Sequence, residues 1–164
     1  MPDNQTMNLE QQLQILQDNS SVHGVAPIVI EQAIAPVLKM YASQLRHLEY
    51  YLLQNLSQGW VLTTLRSRAK TSAEKKVIYA FSTAQDATTF AGIDDPEIVA
   101  LPIPVIQILF QIFAIQTLDS VIFLDNPGNL STGVEVHRAD VHNLIQKQLQ
   151  NLARQPSNIP TDLA

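Results

Sequence analysis

The stretch from Val77 to Arg138 constrains the fold most. Its apolar residues switch several times between a period of two and a period near 3.6, with turn residues at each switch. That is the pattern of short strands interleaved with helices. VIYAFS (77–82) predicts a strand, and Ser82 with Gln85 forms an S-x-x-Q box opening a short helix that ends near Gly92. DDPE (94–97) reads as a turn, IVALP (98–102) as a short buried strand, and Pro104 suits the first turn of a helix over 105–118. SVIFLD (120–125), NPGN (126–129) and TGVEVH (132–137) then predict strand, turn and strand. A last helix follows Arg138, with Val141, Leu144, Ile145, Leu149 and Leu152 as its apolar face and Asp140 in its first turn.

Upstream, Leu9, Leu13 and Leu16 recur at helical spacing, and Asn8 with Gln11 fits a capping pair, so a short helix is predicted from Leu9 to Asp18. DNSSVHG (18–24) is a loop by composition. Ile30, Ile34, Val37, Tyr41, Leu45, Leu48, Leu52 and Leu56 then fall three and four apart, on one face of a long helix. Pro36 interrupts that stripe. The helix either kinks there or ends near Ala35 and restarts, and it continues to about Ser57. At its end Tyr50, Tyr51, Leu52 and Leu53 cover more than one face, as in a helix that is sandwiched or awaits a partner. Gly59 suits a C-cap, WVLTTL (60–65) alternates as a strand, and a long basic connection joins it to the strand at 77–82.

The expected organisation is therefore a short helix and loop (1–26), an α+β domain (27–154) and a tail disordered by composition (155–164). The domain is expected to be single: a small mixed sheet packed by helices, with a long N-terminal helix. Two hairpin-like pairs, 60–82 and 120–137, build the sheet, with the strand near 98–102 between them. Length permits a core without staples, and the absence of cysteine excludes disulfides and thiolate metal sites. A net charge of -5 argues against general nucleic-acid binding, which needs clustered Lys and Arg to neutralise phosphates. MPDNQTMNLEQQ has no basic region followed by an apolar run, so a cytoplasmic location is the default expectation. Ile98 to Leu118 carries no charge, but Pro102, Pro104, Gln107, Gln111 and Gln116 interrupt it, and it reads as a core segment with no membrane span.

From Trp60 to Asp140 the order of features resembles the SseB family. A strand pair leads into a Y-x-F-x-T-x-x-x-A-x-x-F phrase, read here as Tyr79, Phe81, Thr83, Ala87 and Phe90, and a later strand ends in Asn126, Pro127 and Gly128. The likeness covers about half the chain and leaves the segment from Pro27 to Ser57 outside it. It implies an α+β domain without an attached enzymatic activity. In size, Gln-rich composition and layout the chain is also similar to cyanobacterial carboxysome assembly factors of the CcmS type. That similarity implies a shell protein's terminal extension as partner.

Several residue groups could carry chemistry. Arg66, Arg68, Lys70, Lys75 and Lys76 are five of the ten Lys and Arg residues, and such a patch could steer an acidic peptide or a phosphate; equally, it could be a solvated loop. Glu135 and His137 lie two apart on a strand, with His142 beyond, and could line a small-molecule or catalytic pocket, although the spacing matches no metal motif. Asp94, Asp95 and Glu97 read as a solvated turn around Pro96. Tyr50, Tyr51, Leu53 and Trp60 form an aromatic group suited to a protein partner, unless the sheet covers them. No P-loop, GxGxxG, GxSxG or HExxH occurs, and no cofactor, catalytic residue or metal is expected. The favoured expectation is a non-enzymatic interaction or assembly module that docks a peptide or surface of a larger complex. Its contacts would be Tyr50, Tyr51, Leu53, Trp60, Arg66, Arg68, Lys75 and Lys76.

Overall fold

A computed structural model describes residues 7–57, 59–66, 74–91 and 96–154. The first helix, α1 (Leu9–Asp18), forms as its capping box predicts, with the Gln11 N–H donating to Asn8 Oδ1 at 2.9 Å and Gln11 Oε1 accepting from the Asn8 N–H at 3.0 Å. The next helical segment runs through α2 (Pro27–Val29), a π-helical stretch Ile30–Ile34, and α3 (Ala35–Ser43). Here the Ala35 N–H reaches back five residues to the Ile30 carbonyl. The wider turn sits directly before Pro36, whose ring would otherwise clash with the preceding turn and which has no N–H to give.

The long helix to Ser57 does not form. It stops at Ser43, and residues predicted to lie on its extra face form a strand, β1 (Glu49–Asn55). Tyr-Tyr-Leu-Leu is a run apolar at every position, and a strand buried on both faces satisfies it without asking a helix for two dry sides. After β1 come β2 (Thr63–Arg66), β3 (Glu74–Phe81), α4 (Ala84–Ala91), β4 (Ile98–Pro104), α5 (Val105–Ala114), β5 (Ser120–Leu124), β6 (Val134–His137) and α6 (Arg138–Arg154). Gly59 does not cap a helix; its N–H donates to Asn55 Oδ1 at 2.9 Å in the turn that leaves β1.

The strands make one mixed sheet in the order β4-β1-β3-β5-β6, with β2 also on β3, so the fold is α+β. The expected antiparallel pairs β2–β3 and β5–β6 are present. β3 and β5 lie directly side by side and parallel, so β4 is not between the hairpins but at the edge, against β1. Beyond Tyr51 opposite Phe81, segment 59–66 runs alongside first β1 and then β3. The Val61 N–H donates to the Leu53 carbonyl, Gln54 bridges Trp60, and Thr63 pairs with Val77.

One face of the sheet carries the main core. Tyr50, Leu52, Ile78, Ala80, Val121 and Phe123 are buried there against the π-helical stretch, α3, α5 and α6. Each such large side chain removed from water contributes about 2 kcal/mol. On the other face, among the described residues, the short α4 covers Leu53, Phe81 and Leu124. Thr83, not Ser82, caps α4: the Asp86 N–H donates to Thr83 Oγ1 at 3.0 Å, while Ser82 Oγ is buried without a partner. The Asn-Pro-Gly turn after β5 needs Gly128 at φ +79° and is tied to α4 by the Gly128 N–H donating to Asp86 Oδ2. No helix among the described residues is long and apolar enough to cross a membrane. Arg68, Lys70, Asp94, Asp95 and the 155–164 tail lie outside the described residues.

Candidate functional site

The strand assignment of 49–55 separates the expected aromatic group. Alternation sends Tyr50 and Gln54 to the helix side of the sheet and Tyr51 and Leu53 to the other. Tyr50 is not a surface residue. It is fully buried against Phe123, and its hydroxyl donates to the Asp125 carboxylate, whose backbone carbonyl is also met by His47 Nε2 at 3.1 Å. Burial, and then the Asp125 hydrogen bond, push the Tyr50 phenol well above its ordinary value. Leu53 is buried and Tyr51 half-buried under α4. Trp60 of that group borders a cleft on the helix side.

Trp60 stands in a cleft of about 440 Å³ between the turn after β1 and α5, lined by Gln54, Gly59, Leu62, Ile103, Gln107, Gln111 and Ile115. The Gln107–Gln111 pair lies one turn apart on α5, the stripe that sequence periodicity assigns to solvent. Across the same two glutamines lies a second cleft of about 240 Å³ between α1 and α5, lined among others by Ile15, Leu16, Asn19, His23 and Phe110. His23 packs on Phe110 with ring centroids 4.6 Å apart. Gln12 fixes the floor: its amide nitrogen donates to the Met7 and Leu48 carbonyls, and its oxygen accepts from the Ile106 N–H at 3.0 Å. Among the described residues no Asp, Glu, Lys or Arg lines either cleft. On the strand side, Val99 and Leu101 of β4 continue the row of Ile103 and are 41% and 37% exposed, because the helix layer ends before it reaches them.

The basic hairpin behaves differently. Arg66 pairs with Glu74 at 3.1 Å, and Lys75 pairs with Glu135 across β5, so these cations are answered by carboxylates rather than presented as a free patch. Lys76 is exposed, and its backbone N–H donates to Asp119 Oδ2 at 2.7 Å. Lys75, Ser120, Glu135 and His137 thus come together on the face opposite the main core, which joins two groups that are sixty residues apart in sequence. The Ser120 hydroxyl donates to Glu135 Oε2 at 2.6 Å, and His137 Nδ1 stands 3.8 Å from the same oxygen.

Burial alone would raise the Glu135 carboxyl. The hydrogen bonds from Lys75 and Ser120 and the charges of His137 and Lys75 outweigh it and hold the group below its ordinary value. A carboxylate so stabilised is a poor proton acceptor near neutrality, and the buried Ser120 hydroxyl donates its hydrogen bond to that carboxylate. The cluster does the work of an ion-pair clasp across β3, β5 and β6. His142 does not join it; that ring stacks on Phe113 within the helix layer.

The resemblance-bearing residues have packing roles. Tyr79, Phe81 and Phe90 form an aromatic trio with centroids 4.8 to 6.3 Å apart, and Ala87 of α4 is buried in the small core with Leu53, Phe81 and Leu124. The surface that sequence reading missed is the pair of clefts astride α5. Its only sequence signal is the i, i+4 glutamine pair in an otherwise apolar helix. No family model matches this sequence, and a search of curated proteins finds no match to it.

Proposed function

We propose that this chain is a non-enzymatic docking module that binds a segment or surface of a larger assembly along α5. The observation carrying this reading is the surface around Trp60. An indole and partly exposed aliphatic side chains are rimmed by three amide side chains on its sheet and helix walls, and among the described residues no Asp, Glu, Lys or Arg lines it. Tryptophan in a desolvating recess is the side chain that supplies most binding energy at protein interfaces, and glutamine amides can hydrogen-bond a partner's backbone. The contact set therefore keeps Trp60 of the expected residues and adds Leu62, Gln107 and Gln111, with the basic hairpin outside it. The similarity to assembly factors of the CcmS type points to the terminal extension of a carboxysome shell protein as the partner.

Affinity capture from the native lysate tests the reading, with Leu62→Glu and Gln107→Glu as comparisons, since both positions are exposed and tolerate charge without loss of fold. Loss of the captured partner with either change supports it. Unchanged capture with both overturns it. Titration of shell-protein extension peptides against the wild-type chain tests the more specific partner, and absence of saturable binding removes it.

A further inference from the structure

We infer that the occupant of the α5 surface is an uncharged peptide segment that seats two apolar side chains, one on each side of the Gln107–Gln111 pair, and does not add a strand to the sheet. This rests on the docking reading above and narrows it to one kind of partner. Three observations carry it. First, the two clefts share Gln107 and Gln111, so an occupant crossing α5 meets apolar recesses on both flanks and amides between them.

Second, in an acidic chain this surface is without Asp, Glu, Lys or Arg among the described residues. A charged partner side chain would lose hydration there and meet no countercharge, which selects against it.

Third, the adjoining sheet edge is blunted against strand addition where it meets the clefts. Along an antiparallel ladder successive residues turn their backbone groups alternately toward the partner strand and away from it. The Val105 N–H donates to the Leu48 carbonyl at 2.9 Å, so in the same register Ile103, Leu101 and Val99 bond β1, and Ile98, Ala100, Pro102 and Pro104 face outward. Two of those four positions are prolines and offer no donor, and they are the two beside the clefts, where Ile103 and Pro104 form part of the lining. An incoming strand would leave its acceptors opposite Pro102 and Pro104 unmet. Recognition is left to side chains entering the clefts.

Trp60 is the only tryptophan, so its emission reports occupancy directly. The experiment is selection from a displayed library of random peptides on the whole chain, followed by titration of the enriched peptides, acetylated and amidated, against Trp60 emission. The expected result is enrichment of peptides without net charge that carry two separated apolar anchors. Binding should shift Trp60 emission and change less than about twofold between low and high salt, as contacts without ion pairs do. It should weaken by at least about tenfold on Gln107→Glu. Enriched peptides that are charged and salt-sensitive, yet lose binding on Gln107→Glu, overturn this inference and leave the docking surface standing. Peptides unaffected by Gln107→Glu and Leu62→Glu, or no enrichment at all, overturn both.

Discussion

The two sides of the sheet solve the same problem in opposite ways. At the Lys75–Glu135 clasp, polar groups gathered from three strands satisfy one another: one carboxylate oxygen takes the Lys75 ammonium, the Ser120 hydroxyl and the nearby His137 ring. At the clefts astride α5 the polar groups are amides on exposed or half-exposed positions, set around Trp60 and Ile103. In the first cluster one carboxylate oxygen gathers the polar groups into contacts with one another, whereas the second is a neutral rim around an apolar recess. Charge and spacing in the sequence draw attention to the first region. The geometry moves functional interest to the second.

The contrast can be broken at several points. The largest expected effect is at the floor of the smaller cleft, where Gln12→Leu leaves the Ile106 N–H without its acceptor in a buried place and withdraws a second donor from the Leu48 carbonyl, which keeps the Val105 N–H. A loss of about 3 kcal/mol in urea unfolding is expected. Tyr50→Phe comes next, because it withdraws the hydroxyl from the buried Asp125 carboxylate and removes the acceptor of the His47 N–H; the expected cost is about 2 kcal/mol.

Glu135→Gln is expected to cost less than about 1 kcal/mol, because its partner Lys75 and neighbour His137 are both more than a third exposed and solvent screens them. Its sign with pH is fixed. A carboxyl held below its ordinary value of 4.5 in the fold stabilises above that value, and the contribution disappears as pH falls through the lowered titration. The difference between wild type and Glu135→Gln should therefore be full near neutrality and vanish in acid. A difference that instead grew in acid would contradict the clasp. The smallest effect on stability is at Gln107→Glu, within about 0.5 kcal/mol, since the residue is exposed on α5.

From Val77 onward the period of the apolar residues was enough to place nearly every element, because each strand or helix there has one dry stripe and a turn at its end. It was insufficient at 44–57, where the spacing of Leu45, Leu48, Leu52 and Leu56 fits a helix while Tyr50 to Leu53 fits a strand buried on both faces. The second pattern prevailed because β1 sits between β4 and β3, and only a central strand gives both of its faces a cover. Burial of Tyr50 could not be read beforehand for the same reason: its cover comes from Phe123 and its hydroxyl partner from Asp125, over seventy residues away. The ion pairs Arg66–Glu74 and Lys75–Glu135 likewise depend on strand register, which no local pattern in the basic segment reveals.

The most direct measurement is peptide affinity, followed by Trp60 emission, in three chains: wild type, Gln107→Glu and Glu135→Gln. If the α5 surface is the docking site, Gln107→Glu weakens binding at least about tenfold while Glu135→Gln leaves it within about twofold of wild type. The reverse order, with binding lost at Glu135 and kept at Gln107, would contradict the account.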